Sequence, residues 1–272
     1  MKQTRKLATW LAAFALALAM AANATAQSSK ERVGKVTRIK GAARVSSGNN
    51  IWRPLKVGDE LRAGAIVQTA GSSYVDIVFG DAGTSVTPAT VTAVKAGPGM
   101  GGGAGKTAVR HDVIRVTSDT VLAIDKLSSV NTGADKVTET ELDLRSGKIF
   151  GAVKKQSAAS RFEVKIPNGV AGIRGTIFSI SAEGVVSALD GDVLVAWDVG
   201  GVTKTQSVPH GYRFDLRTPD VPPTPIPTAE RQAMLEIANV GLIAAYTDVT
   251  KYIVDRTIYF VSPAVENDST GG

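Results

Sequence analysis

The chain has 272 residues and no cysteine, so neither a disulfide nor a thiolate metal site can form. Its formal net charge is +6, from 31 basic and 25 acidic residues. Three of the basic residues, Lys2, Arg5 and Lys6, lie at the N-terminus, and without them the excess is 28 − 25 = +3, too small to indicate a nucleic-acid partner. The remainder, about 245 residues, is long enough to bury a large core without disulfides.

The N-terminus has the three parts of a secretory signal peptide. A basic segment at residues 2–6 precedes an apolar run over residues 10–22, and Ala24 and Ala26 supply small residues at the −3 and −1 positions. The apolar run is shorter than the roughly 20 residues that a membrane-spanning helix needs. We therefore predict cleavage after Ala26, a periplasmic or secreted chain that begins at Gln27, and no membrane span after cleavage.

The mature chain alternates apolar and polar residues over several short runs. Val75, Ile77 and Phe79 occupy every second position of one run, and residues 162–166 repeat the pattern. Such alternation places one face of a strand in a core and the other towards solvent, as in half-buried antiparallel strands. Turns such as Gly80-Asp81 separate the runs. These features predict an all-β fold, an antiparallel sandwich or a jelly-roll-like domain.

Two segments interrupt the strand pattern. Residues 96–106 are too rich in glycine for regular structure and predict a loop within the β domain. Residues 219–227 contain five prolines, which predict an extended linker at the end of the β domain. Beyond it, Thr228 is placed to cap a helix over residues 229–245, and residues 256–261 predict a last strand. The expected organisation is a signal peptide (1–26), a β domain (27–218), a proline-rich linker (219–227) and a short C-terminal helix with its tail (228–272).

Catalytic and metal-binding patterns receive no support from the sequence. Residues 105–107 (Gly-Lys-Thr) end like a phosphate-binding loop, but Met100 stands where that motif needs glycine, and a β-rich segment follows instead of a helix. The two histidines, His111 and His210, are expected at the surface, His111 beside an equally exposed aspartate. A Ca²⁺ site at residues 190–192 is an alternative to a plain β-turn, which we favour. We therefore expect no enzyme and no cofactor or metal.

The segment from Phe162 to Ile180 carries the most specific pattern. A strand ends at a Pro167-Asn168-Gly169 turn, and a second strand follows in which glycines flank Arg174. Arg174 has two interpretations. It could bind a ligand, or it could stabilise the fold by donating hydrogen bonds to carbonyls at a strand bulge, and we favour the structural role.

This segment resembles the signature of the FecR domain family, in which a strand of the form F-x-V-x-x-P-x-G precedes A-x-x-R-G-T-x-F. The resemblance extends over residues 33–200 and implies a periplasmic all-β domain. The family's best-known members relay the state of an outer-membrane receptor to a cytoplasmic sigma factor. We expect this chain to lack their cytoplasmic anti-sigma segment, and we expect residues 96–135 to be an insertion that lengthens the domain. The principal signature residues, which we interpret as structural, are Phe162, Pro167, Gly169, Arg174, Gly175, Thr176 and Phe178.

Two functions from different classes fit these features. The first is a non-catalytic interaction module of the cell envelope, with envelope signalling as one role. Its partner would be another envelope protein that binds at an open strand edge. The second is a carbohydrate- or peptidoglycan-binding module, which would need exposed aromatic residues on one face. Trp52 and Trp197 are the residues that decide between them.

Overall fold

A computed structural model describes residues 29–48, 51–83, 111–133 and 135–244, with the backbone alone for residues 238–244. The signal peptide, the glycine-rich loop at residues 96–106, the last strand expected at 256–261 and the tail lie outside the described residues. Among the helices of the described part, none is long and apolar enough to cross a membrane.

The described chain consists of short strands followed by one helix, as the alternating pattern predicted. Gly/Asp turns end most strands after a few residues, and glycines with positive φ occupy many of these turns. The strands are β1 (Ser29–Lys40), β2 (Ala43–Ser46), β3 (Trp52–Pro54), β4 (Glu60–Leu61), β5 (Ile66–Thr69), β6 (Tyr74–Asp81), β7 (Asp112–Val116), β8 (Val121–Asn131), β9 (Lys136–Ser146), β10 (Lys148–Ala152), β11 (Arg161–Ile166), β12 (Gly169–Ile173), β13 (Ile177–Ser181), β14 (Val185–Asp190), β15 (Val193–Val199), β16 (Val202–Val208), β17 (Tyr212–Asp215) and β18 (Thr224–Pro225), and the helix α1 is Thr228–Ala244.

The strands form two sheets that face each other. Sheet A has the order β3-β2-β5-β8-β9-β11-β12-β15-β16. Sheet B has the order β4-β1-β6-β7-β10-β13-β14-β17-β18. All pairs are antiparallel except β9 with β11, which is parallel. Strand β1 joins the sheets at one end, because its residues 29–31 pair with β8 and the rest of the strand lies in sheet B.

From β6 onwards, strands lie in chain order within each sheet, because successive hairpins are placed alternately in the two sheets. The hairpin β11–β12 belongs to sheet A, β13–β14 to sheet B, β15–β16 to sheet A and β17–β18 to sheet B. The chain therefore advances along the sandwich, and its last hairpins form one end of it.

The core lies between the two sheets. Phe162 of sheet A is 1 % exposed and packs edge-on against two phenylalanines of sheet B, with ring centroids 6.3 Å from Phe79 and 6.5 Å from Phe178. Inward-facing valine, leucine and isoleucine side chains from both sheets join them in one cluster. An all-β antiparallel sandwich with a short C-terminal helix is thus confirmed.

Two boundaries differ from the sequence prediction. Residues 112–116 and 121–131, expected within an insertion, are strands β7 and β8 of the core, so the segment that lengthens the domain does not extend to residue 135. The proline-rich segment is extended as expected, but Thr224 and Pro225 pair with β17, and Ile226 is buried. The β domain therefore continues past residue 218, because the prolines occupy an edge strand, where a missing N–H costs no ladder bond.

Helix α1 packs on the outer face of sheet B. Met234 is 3 % exposed and lies in a second apolar cluster with Phe150, Ile177, Leu189 and Ile226. At the first turn of the helix, the Glu230 carboxylate accepts a hydrogen bond from Ser187 Oγ at 2.8 Å and pairs with Arg213 at 3.2 Å. The helix docks as the apolar stripe predicted.

Candidate functional site at the β15–β16 edge

Most residues of the sequence signature build the fold. Phe162 and Phe178 are core residues. A Cβ atom at Gly169 would lie 2.7 Å from the Ala196 carbonyl oxygen, so the turn after Pro167 can approach β15 only without a side chain. The Thr176 hydroxyl, in a side chain that is almost wholly buried, donates to the Asp192 carbonyl at 2.9 Å.

Arg174 does not have the bonds that the structural interpretation requires. It lies in the bend between β12 and β13 and is exposed, and its guanidinium makes neither a hydrogen bond nor an ion pair with any residue that the structure describes. The neighbouring Gly175 instead makes the close approach, since a Cβ there would be 3.0 Å from the Lys155 Cα atom, and its φ is +69°. The structure thus shows none of the carbonyl contacts predicted for Arg174 among the described residues, because the side chain in this bend is exposed.

The titratable candidates form no catalytic or metal site in the described part of the chain. His210 is exposed, and its Nδ1 atom lies 3.6 Å from the carboxylate of Asp190, while its backbone N–H donates to Asp192 at 3.3 Å. Within the same residues, no group of three or more histidine and acidic side chains could hold a metal ion. The aspartate beside His111, Asp112, is buried and bonded to Arg32 at 2.9 Å, contrary to the expected surface position.

The aromatic residues that would decide for a glycan site lie apart from each other. Trp52 in β3 is stacked under Arg44, whose guanidinium carbon is 4.4 Å from the ring centroid. Trp197 in β15 packs against Phe214 in β17, with 5.5 Å between the centroids. The two tryptophans sit on opposite edge regions of sheet A, so they do not form a common stacking platform.

The two sheets end in four edge strands to which no other strand of the described residues is added, and β16 is the longest of the four. At the N-terminal end, β3 has three residues and ends in proline, and β4 has two residues, which pair with Gly34 and Lys35 of β1. At the C-terminal end, β18 has two residues, one of them proline, whereas β16 has seven residues and no proline. Short length and proline are the usual protections of a sheet edge. Among the described edge strands, β16 is therefore the one best suited to receive an added strand.

The hairpin that ends in β16 also exposes apolar side chains. Leu194 is 54 %, Val199 45 % and Val202 63 % exposed. Val199 and Val202 face each other across the Gly200–Gly201 turn, whose two positive φ angles of 62° and 83° fit a type I′ turn. An exposed apolar hairpin tip beside an open edge is typical of an interaction surface.

The outer face of sheet A next to β16 is nearly uncharged. Gly172 of β12 lies beside Leu194 of β15, and Asp198 is the only charged residue on this part of the face. A shallow groove of about 430 Å³ runs between the turn at Pro167 and the last residues of β15, and Thr203 of β16 lines its far side. A partner that adds a strand to β16 would find space for side chains here.

Further along the same face, strands β8, β9 and β11 carry a dense set of ion pairs. A hydrogen bond from Lys126 holds the pKa of the Glu139 carboxyl below its ordinary value of 4.5. The charge of Glu163, together with the hydrogen bond to Glu141, raises the pKa of the Arg161 guanidinium. These charges satisfy one another on a solvated surface, and such a face resists association with another sheet. The uncharged region is thus confined to β12, β15 and β16.

Sequence reasoning did not single out β16. Its local signal was present, since Val202 to Val208 follows a Gly-Gly turn and an apolar strand, which is typical of a hairpin. Its position at an open edge depends on the order of strands in sheet A, and no local pattern contains that order.

In a comparison with known proteins, one family model matches part of the chain. Residues 106–194 match the family model described as FecR protein. The match covers β7 to the start of β15, and residues 33–105 of the predicted resemblance lie outside it. Neither the curated proteins nor the solved structures include a match to the chain.

Proposed function

We propose that the chain acts in the cell envelope as a non-catalytic interaction module, because residues 106–194 match the FecR family model. A FecR domain indicates a periplasmic module related to signalling. The function proposed in detail is the binding of another envelope protein, which adds an extended segment to β16 at the open edge of sheet A. The exported location is part of the proposal and is supported by the signal-peptide pattern that ends at Ala26.

The seven-residue, proline-free edge strand β16, to which no described strand is added, is the observation that carries this proposal. In an antiparallel hairpin, every second residue directs its N–H and C=O groups away from the partner strand. Strand addition satisfies these groups and derives affinity from the main chain, while pockets for alternate side chains supply specificity. The exposed Leu194 and the groove beside Thr203 lie where such side chains would point.

The proposal is tested by affinity capture from envelope extracts with the mature chain from Gln27. The matched variants are Thr205→Pro, which removes one backbone N–H of β16, and Thr205→Val, which keeps that N–H and the strand preference of the residue. We expect the wild type and Thr205→Val to retain the same protein and Thr205→Pro to lose it. The purified partner should also slow amide hydrogen exchange at residues 203, 205 and 207.

Two outcomes would contradict this proposal. Equal capture by all three chains would show that the partner binds elsewhere. Capture of glycan or cell-wall fragments alone would remove the protein partner and favour the carbohydrate-binding module.

A further inference from the structure

We propose that β16 also pairs with β16 of a second copy of this chain, in antiparallel orientation about a two-fold axis at Thr205. The contact would join two copies of sheet A into one continuous sheet. The inference rests on the proposed function in one respect, since both require that a strand can be added to β16. The strand added here belongs to a second copy of this chain instead of another envelope protein.

The backbone of β16 is arranged for this pairing. The two-residue turn at Gly200–Gly201 makes Val199 and Val202 a hydrogen-bonded pair, and the register continues without a bulge to Val193 opposite Val208. Residues of β16 therefore alternate, and Thr203, Thr205 and Ser207 direct their N–H and C=O groups to the free edge. A two-fold axis at Thr205 places these three residues opposite one another, in three pairs that exchange about six backbone hydrogen bonds.

The side chains of β16 are self-complementary in the same register. The sequence Val-Thr-Lys-Thr-Gln-Ser-Val reads almost the same in both directions, with like residues at matching positions. Val202 would face Val208 of the second copy, Thr203 would face Ser207, and Thr205 would face itself. Hydroxyl pairs of this kind stabilise antiparallel strands, and Val202 would lie over the part of β16 in which Val208 is buried in its own core.

Charge agrees with this register. Lys204 is the single charged residue of β16, and it would face the neutral Gln206 of the second copy. No like charges therefore oppose each other, whereas a shift that brought Lys204 opposite Lys204 would be repulsive. The pairs between Lys204 and Gln206 are also the non-hydrogen-bonded pairs, in which opposing side chains lie closest.

The contact would cover apolar surface that the single chain exposes. Val202 is 63 % exposed, and its counterpart Val208 is fully buried at the margin of the core. Pairing places Val202 of each copy beside Val208 of the other, on the face of sheet A that looks towards sheet B. The second copy would thus extend the core at the edge of sheet A.

Sedimentation equilibrium of the mature chain from Gln27, over about 1 µM to 1 mM, tests this inference. In Gln206→Lys, Lys204 of each copy would face a second lysine in the other copy, and this repulsion should weaken self-association by about tenfold. In Gln206→Glu, Lys204 of each copy would face a glutamate instead, and self-association should strengthen about as much. The double variant Lys204→Glu with Gln206→Lys again opposes unlike charges and should restore the dimer. Thr205→Pro should leave a monomer, and Thr205→Val should not.

Two results would overturn the inference. One is a chain that stays monomeric over the whole range even as Gln206→Glu, and the other is a dimer that neither Gln206→Lys nor Thr205→Pro weakens. Capture of an envelope protein that Thr205→Pro abolishes, together with a monomeric Gln206→Glu chain, would remove self-pairing and leave the proposed function intact.

Discussion

Gly151 in β10 occupies a position with no room for a side chain. A Cβ atom there would lie 2.2 Å from Phe178 Cζ and 2.7 Å from Ile114 Cδ1, both in the packed interior. We expect Gly151→Ala to lower the free energy of unfolding by about 1–3 kcal/mol, because the neighbouring core side chains would be forced from their positions. The control is Gly172→Ala on the outer face of β12, where the nearest atom is 3.6 Å away.

Urea unfolding of the two glycine variants checks this prediction. Gly172→Ala should stay within about 0.5 kcal/mol of the wild type. Equal effects of the two substitutions would mean that the interior at Gly151 relaxes freely, contrary to the close packing of the two sheets.

Arg174 and Thr176 are neighbours in the sequence signature, but we expect their side chains to contribute differently to the free energy of unfolding. Arg174→Ala should change the free energy of unfolding by less than about 0.5 kcal/mol, because the side chain is exposed and makes no bond with the residues described. Thr176→Val should cost about 1–3 kcal/mol, because it removes the hydrogen bond that the buried Thr176 hydroxyl donates to the Asp192 carbonyl. Urea denaturation measures both, and a large loss for Arg174→Ala would restore its structural role.

Among the elements, helix α1 is held to sheet B by a narrow apolar contact. Met234→Ala should lower the free energy of unfolding by about 2–5 kcal/mol, because it empties the cluster around Phe150, Ile177 and Leu189. Leu235→Ala is the matched control, since Leu235 is 44 % exposed and its truncation should change the free energy of unfolding only slightly. Thermal unfolding monitored by circular dichroism distinguishes them, and similar midpoints for the two variants would show that the helix does not contribute to the folded domain.

The ends of β6 and β9 are linked by a carboxylate whose ionisation affects stability. Burial alone would raise the pKa of Asp81, but hydrogen bonds from Lys136 and Ser129, with the charge of Arg32, outweigh it and hold that pKa below the ordinary value of 3.8. A carboxyl whose pKa is lower in the folded chain stabilises the fold above its unfolded pKa. That contribution is lost as the pH falls through the folded pKa.

We therefore expect Asp81→Asn to be less stable than the wild type at pH 7, with the difference shrinking as the pH falls below about 4. Urea unfolding at several pH values measures this dependence, and Asp135→Asn provides a control carboxyl. A difference that stayed constant down to pH 2 would show that ionisation of Asp81 does not contribute.

For the whole molecule, export is the property that the sequence predicts most directly. Expression with the full N-terminus in a Gram-negative host should give a periplasmic chain that begins at Gln27, because Ala24 and Ala26 meet the size requirement of the signal peptidase. N-terminal sequencing and intact mass measure the cleavage. Ala26→Phe should block it and leave the precursor at the membrane, and an uncleaved wild-type chain in the cytoplasm would contradict the prediction.

Much of the fold followed from local patterns. The alternation at Val75, Ile77 and Phe79 predicted a core-facing strand, and all three residues are at most 2 % exposed. Period-two burial is a property of the strand itself, so a short segment is enough to predict it. The same alternation was misleading at Asp76, which should have faced solvent but is 1 % exposed and pairs with Arg115 at 2.7 Å.

By itself, therefore, the sequence determined the strand pattern, the docked helix and the signature residues of this protein, because each depends on residues that are neighbours in the chain, whereas the turn predicted at Gly80-Asp81 lies within β6. Only the tertiary structure decided which polar residues are buried, that Arg174 is exposed, and that β16 is the long edge strand of sheet A among the described residues. The physical reason is that burial and edge position depend on what packs against a segment, and those contacts come from hairpins far apart in the chain.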